Sequence, residues 1–191
     1  MISFVASLGA YTALFVLLVS GVHHIVTQER FKQLISAQRV WREGRERAIA
    51  VLVAVAETVV GGTGLVVVFW RASPRVSQLV LGTATVVFGI FASYGLFLAR
   101  RRPGAPCACG FGDDTVSSAT PFRALMLCIA ALTGALGADY LMGRGNIQAS
   151  EAMTMTAAVG TFATLSWALD GALFPSRKPP TGWAVLVDGE A

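Results

Sequence analysis

Charge is what this 191-residue sequence has least of: 14% of its residues are Asp, Glu, Lys or Arg, against roughly a quarter in water-soluble domains. Hydrophobic residues make up 54% of the chain and the mean hydropathy is +0.64. The 15 basic and 11 acidic residues gather in short stretches between long apolar runs. That distribution excludes both an ordinary soluble domain and a disordered chain. Three cysteines are too few for a disulfide-stapled secreted module. A net charge of +4 confined to loops is not the basic face of a nucleic-acid binder. Also missing are a Ser-His-Asp set, a HExxH zinc site, a kinase signature and any internal repeat. Gly61, Gly62 and Gly64 follow no strand and sit in an apolar run, so the context of a phosphate-binding loop fails.

What is present is a series of bilayer-length segments. A hydrocarbon core about 30 Å thick needs roughly 20 apolar residues at about 1.5 Å of rise each. Five segments meet that demand, at about residues 3–26, 48–70, 78–99, 124–142 and 152–174. The fourth and fifth are rich in Ala, Gly and Thr, as closely packed helices of a bundle are. The first has no basic n-region and is longer than a signal-peptide core, so it reads as a retained helix. The fold class expected is therefore all-α, a polytopic helical bundle across residues 1–175, followed by a short polar tail over 176–191. Pro179 and Pro180 prevent a helix from continuing into that tail.

Orientation follows from Lys and Arg. Arg30, Lys32, Arg39, Arg42, Arg45 and Arg47 follow span one; Arg100, Arg101, Arg102 and Arg123 lie between spans three and four; Arg177 and Lys178 are in the tail. With five spans these share one side, and only Arg71, Arg75 and Arg144 lie on the other. The bias predicts a plasma-membrane protein with its N-terminus outside and its C-terminus in the cytoplasm. Within the first loop, Phe31, Leu34, Ile35 and Val40 recur at near-helical spacing, predicting a short amphipathic helix at the interface. Trp41 and Trp70 suit the headgroup zone.

Between spans three and four runs RRRPGAPCACGFGDD, where Cys107 and Cys109 stand among prolines and glycines that forbid regular helix. A vicinal Cys-x-Cys pair can close a small, strained disulfide ring suited to exchange, and the three arginines before it favour thiolate. A redox-active pair is the leading reading. Idle loop cysteines and a Cu(I) site remain open beside it, whereas structural zinc needs four ligands and the local sequence supplies two. Cys128 reads as a small apolar filler of span four, with a resolving thiol as the alternative.

Glu57 is the only charge in span two, at a depth where ionisable groups are costly and serve either function or interhelical hydrogen bonding. His23 and His24 fall near the inner end of span one, an interfacial location. Being adjacent, they point about 100° apart and cannot bind one haem together. A bundle can bring Glu57, His24 and Arg123 near the cysteine loop as a proton acceptor and charge for thiol chemistry. Asp139 and Asp170 lie near span ends and read as solvated or capping.

Three stretches resemble the MauE-type membrane proteins (methylamine utilisation protein E), which group distantly with DoxX-like four-helix proteins. They are SGVHHIVTQERFKQLISAQRVW at the end of span one, VLVAVAETVVGGTGL in span two, and PCACGFG, with Arg123 downstream. Together they cover about residues 10–142. Two features depart from the pattern: His24 stands where a Lys is usual, and Gly110 separates Cys109 from Phe111. The resemblance implies a four-helix core, with span five outside it. It also implies thiol–disulfide oxidoreductase chemistry with a thioredoxin-like partner serving client proteins. A membrane quinone enters only by analogy with other disulfide-handling bundles. A cytoplasmic cysteine loop and a client outside are compatible only if the loop dips into the bundle or the span count differs. The rival classes are a non-catalytic assembly factor or subunit of a larger membrane complex, and a Cu(I)-handling protein.

Overall fold

The computed structural model describes residues 2–42, 44–70, 73–102, 105–107, 116, 119–139 and 159–160. Among the described residues five helices follow one another: α1 (Ile2–Val26), α2 (Gln28–Ala37), α3 (Glu46–Phe69), α4 (Pro74–Arg101) and α5 (Ala119–Leu136). The expected all-α membrane bundle is what forms. Among the described residues three helices are long and apolar enough to cross a bilayer, over Ser7–Val26, Glu46–Phe69 and Pro74–Arg101, and α5 carries a shorter apolar stretch, Thr120–Leu136. The segment expected as a fifth span, 152–174, lies outside the described residues apart from 159–160, as does the tail.

The helix boundaries have local causes. At Thr27 the backbone leaves helical geometry, and the Thr27 hydroxyl donates to the His23 carbonyl at 2.8 Å. That turn separates α1 from α2. Helix α2 ends where Arg39 adopts φ +48°, a left-handed conformation that usually selects Gly. Helix α4 opens on Ser73 and Pro74, with Pro in the first turn, where its missing N–H costs nothing. It ends on Arg100 and Arg101, whose charges oppose the negative end of the helix dipole.

The bundle pairs α1 with α3 and α4 with α5, and α1 against α5 joins the two pairs. Its core is Ala10, Ala13, Leu14, Leu17, Val68, Leu81, Ala84, Phe88 and Ala131. Much of it is small, because backbones approach closely. A Cβ on Gly21 would lie 2.5 Å from the Thr58 nitrogen, and one on Gly61 would run into the Leu18 backbone. Large apolar side chains on the opposite faces point outward, among them Leu52, Val59 and Val66 on α3 and Leu79, Val86 and Ile90 on α4. In water such faces would drive aggregation; against lipid they are the expected exterior.

Helix α2 is amphipathic, as its pattern predicts, but its apolar face has a protein partner. Phe31 and Ile35 are buried against Ile49, Ala50 and Val53 at the start of α3. This docking places the end of α2, the start of α3, the end of α4 and the start of α5 at one end of the bundle.

Candidate functional site

Glu57 sits in the middle of α3 with its side chain buried, at 3% exposure. The Gly21 and Gly61 contacts draw α1 against α3 at this level, and His24 is the residue of α1 that meets it. His24 Nδ1 lies 2.7 Å from Glu57 Oε2 and is itself buried. The Ser20 hydroxyl, one turn earlier, is 3.3 Å from both carboxylate oxygens. Phe31 of α2 covers the imidazole face to face, with ring centroids 3.9 Å apart and planes 6° from parallel. A buried carboxylate is tolerated only when paired and hydrogen-bonded, and this one has both kinds of support. The arrangement joins imidazole and carboxylate in a hydrogen bond shielded from solvent.

The sequence puts His24 at the interface; the structure puts it at the depth of Glu57. The physical reason is the turn at Thr27 and the docked α2, which continue the chain past His24 as folded protein. His23 is half-buried, its ring 6.2 Å from that of His24 and tilted 54° to it.

Cys107 is buried in a second cluster, with Leu98 of α4 and Val116, and Val40, Tyr94 and Ala99 pack around it. Its sulfur lies 3.9 Å from the Thr120 hydroxyl in the first turn of α5. The chain is tied down on each side of the cysteine: the Ala105 amide donates to the Arg102 carbonyl at 3.0 Å, and Val116 donates to the Ala105 carbonyl at 2.8 Å. A third tie comes from a residue the sequence reading passed over. Gln38, at the end of α2 and 1% exposed, donates through Nε2 to the Pro106 carbonyl at 3.1 Å. Its Oε1 accepts the Tyr94 hydroxyl at 2.7 Å. Arg102 donates to the Arg39 carbonyl at 3.3 Å, and Trp41 stacks on Tyr94. No sequence motif marks Gln38; its place three residues past Ile35 and seven past Phe31, on the apolar side of α2, is the signal it gives.

Among the predicted site residues, then, the structure joins Glu57 to His24. It places Cys107 at the end of the bundle where α4 ends and α5 begins, linked to that pair through α2, which carries Phe31 near its start and leads into Gln38. Gln38 lies seven residues past Phe31, about 10 Å at helical rise. Arg123 is partly buried in α5, three residues past Thr120 and so on the same side of that helix. Cys109 lies outside the described residues. Cys128 is elsewhere: its thiol donates to the Thr85 carbonyl at 3.3 Å, between α4 and α5. It follows Thr120 by eight residues, about 12 Å along the helix, too far to join Cys107 in a disulfide or in one metal site. Among the described residues no three His, Cys, Asp or Glu side chains converge as metal ligands. Asp139 is exposed, and Asp170 lies outside the described residues.

A family model described as methylamine utilisation protein MauE matches residues 2–137, all five described helices. The chain belongs to the MauE family. The match includes both halves of the site: the His24 and Glu57 pair, and the cysteine loop with its Gln38 and Tyr94 supports. It ends at the last turn of α5, so the expected fifth span is outside the family region. No curated protein and no solved structure matches the chain.

Proposed function

We propose that this MauE-family protein is a plasma-membrane thiol–disulfide exchange protein that acts through Cys107 and Cys109 on a thioredoxin-like partner. The family's name ties it to methylamine utilisation, and the reading here is that it supports disulfide formation in client proteins of that pathway. The observation that carries the proposal is the fixed setting of Cys107. An idle loop cysteine needs no anchoring, yet the segment around this one is held by the Ala105 and Val116 bond and by a buried glutamine.

Cys109 is the attacking sulfur of the exchange and the buried Cys107 the resolving one. In the reducing direction, the Cys109 thiolate attacks the partner's disulfide, forming a mixed disulfide and releasing one partner thiolate, which takes up a proton. Cys107 then loses its proton and attacks Cys109. The intramolecular disulfide forms, the partner's second sulfur leaves as thiolate, and two electrons and two protons have passed to the partner. The reverse sequence oxidises the partner. The Glu57 and His24 pair is the proton acceptor of this cycle, and Arg123 with Arg100, Arg101 and Arg102 favours the thiolate form. A membrane quinone is the proposed terminal electron carrier. The cysteine loop faces the cytoplasm, and the N-terminus lies outside, in line with the basic residues around it.

Trapping tests this. Cys107→Ser is expected to accumulate a mixed disulfide between Cys109 and a thioredoxin-like protein, visible as a reductant-sensitive band, whereas Cys109→Ser traps nothing. Absence of any trapped species, together with full activity of the double Cys→Ser variant in its host, would sink the exchange reading. It would leave the accessory-subunit reading in its place.

A further inference from the structure

We infer that Gln38 is a positioning residue for Cys107, with Tyr94 as its orienting partner; the inference rests on the exchange reading of the loop and deepens it. An amide side chain at 1% exposure is costly unless each end is satisfied, and both ends are. The Pro106 carbonyl can only accept, so it takes Nε2 and leaves Oε1 for the Tyr94 hydroxyl, which donates to it and holds the amide in place. That carbonyl belongs to the peptide unit whose nitrogen is the Cys107 amide. Fixing it sets the plane of the peptide and therefore the direction in which the Cys107 side chain departs.

A donor on the carbonyl also polarises the same peptide, making the Cys107 N–H a stronger partner for nearby negative charge. Trp41 stacks on the Tyr94 ring of α4, and Val40 packs against the cluster that holds Cys107, so the turn just past Gln38 is itself held against α4 and the loop. The role is steric and electrostatic placement; Gln38 does not touch a reacting sulfur.

The experiment measures two quantities on the full-length protein in native membrane vesicles. One is the alkylation rate of reduced Cys107 by a small maleimide, read by mass spectrometry against Cys128 in the same molecule. The other is the glutathione ratio at which the cysteine pair is half oxidised. Gln38→Met keeps length and removes both bonds; Tyr94→Phe keeps the ring and removes only the orienting one. Gln38→Met is expected to raise Cys107 alkylation roughly tenfold and Tyr94→Phe roughly threefold, the factors that follow from losing two net hydrogen bonds and one, respectively. Cys128 is expected to stay unchanged and the half-oxidation ratio to shift in both variants. A general loosening of the fold would raise both cysteines together and would overturn the inference, as would unchanged Cys107 rates in Tyr94→Phe. If Cys107 alkylation rises but the wild type never forms the Cys107 and Cys109 disulfide, the positioning stands and the exchange reading falls.

Discussion

At the scale of single residues, the chemistry of this protein depends on how a few polar groups are kept inside apolar surroundings. Glu57 and His24 illustrate the rule that a buried charge needs a partner and hydrogen bonds: they lie 2.7 Å apart, and Ser20 supplies a further hydroxyl. Removing one member should strand the other, so Glu57→Ala is expected to cost about 3–5 kcal/mol of stability. Glu57→Gln keeps an acceptor for the imidazole N–H and should cost only about 1 kcal/mol. Thermal unfolding in detergent distinguishes the two. Glu57→Gln also tests the proton-acceptor role, because it keeps the shape and loses the base. Disulfide exchange with a thioredoxin-like protein in vesicles should slow at least about a hundredfold, the scale of general-base effects; an unchanged rate would reduce the pair to a packing device. The sequence marked Glu57 clearly, since a lone charge in a long apolar run stands out. It did not mark Gln38, because a glutamine next to a basic loop looks like solvated surface until a tyrosine and a carbonyl from distant segments are found on either side of it.

At the scale of helices, the α1 and α3 pair shows why glycine patterns need a structure before they can be read. Gly61 and Gly62 are adjacent and equivalent in sequence, both belonging to the Gly-rich run after Glu57. Gly61 faces the Leu18 backbone with no room for a Cβ, whereas the nearest atom to a Cβ at Gly62 is a Leu18 methyl at 3.7 Å. Gly61→Ala should therefore push α1 from α3, costing about 1–3 kcal/mol as overpacked cores do, and should loosen the His24 and Glu57 contact. Gly62→Ala should be neutral or gain up to about 1 kcal/mol from helix propensity. Thermal unfolding of the two single variants checks the contrast, and equal effects would mean the helices do not meet at Gly61. Helix α2 carries the same lesson. Its amphipathic period was legible, but an apolar stripe does not say whether lipid or protein covers it. The covering surface is the start of α3, which only becomes available when the loop through Gly44 folds back.

At the scale of the whole molecule, the long apolar runs made the all-α membrane bundle readable from composition and length alone. The connectivity was harder, because hydropathy gives spans and not neighbours. The structure supplies one connection that bears on topology. The bond from Gln38 to Pro106 holds the loop after α2 and the loop after α4 at one end of the bundle. The basic residues Arg39, Arg42, Arg45, Arg47, Arg100, Arg101 and Arg102 gather there. By the positive-inside rule this end should be cytoplasmic. Single cysteines at Arg42 and Arg101, in a Cys107→Ser/Cys109→Ser background, should react with a membrane-impermeant maleimide in inverted vesicles and not in intact cells. Labelling in intact cells would reverse the orientation and place the cysteine loop outside.

The exchange reading itself is tested most directly by the redox state of the wild-type pair. Purified protein in lipid would be equilibrated across a series of reduced-to-oxidised glutathione ratios and acid-quenched. The peptide containing Cys107 and Cys109 would then be weighed. A single two-electron transition between dithiol and intramolecular disulfide is predicted, with Cys128 reduced throughout. A peptide that stays dithiol at every ratio, or that forms only mixed disulfides with glutathione, would contradict it.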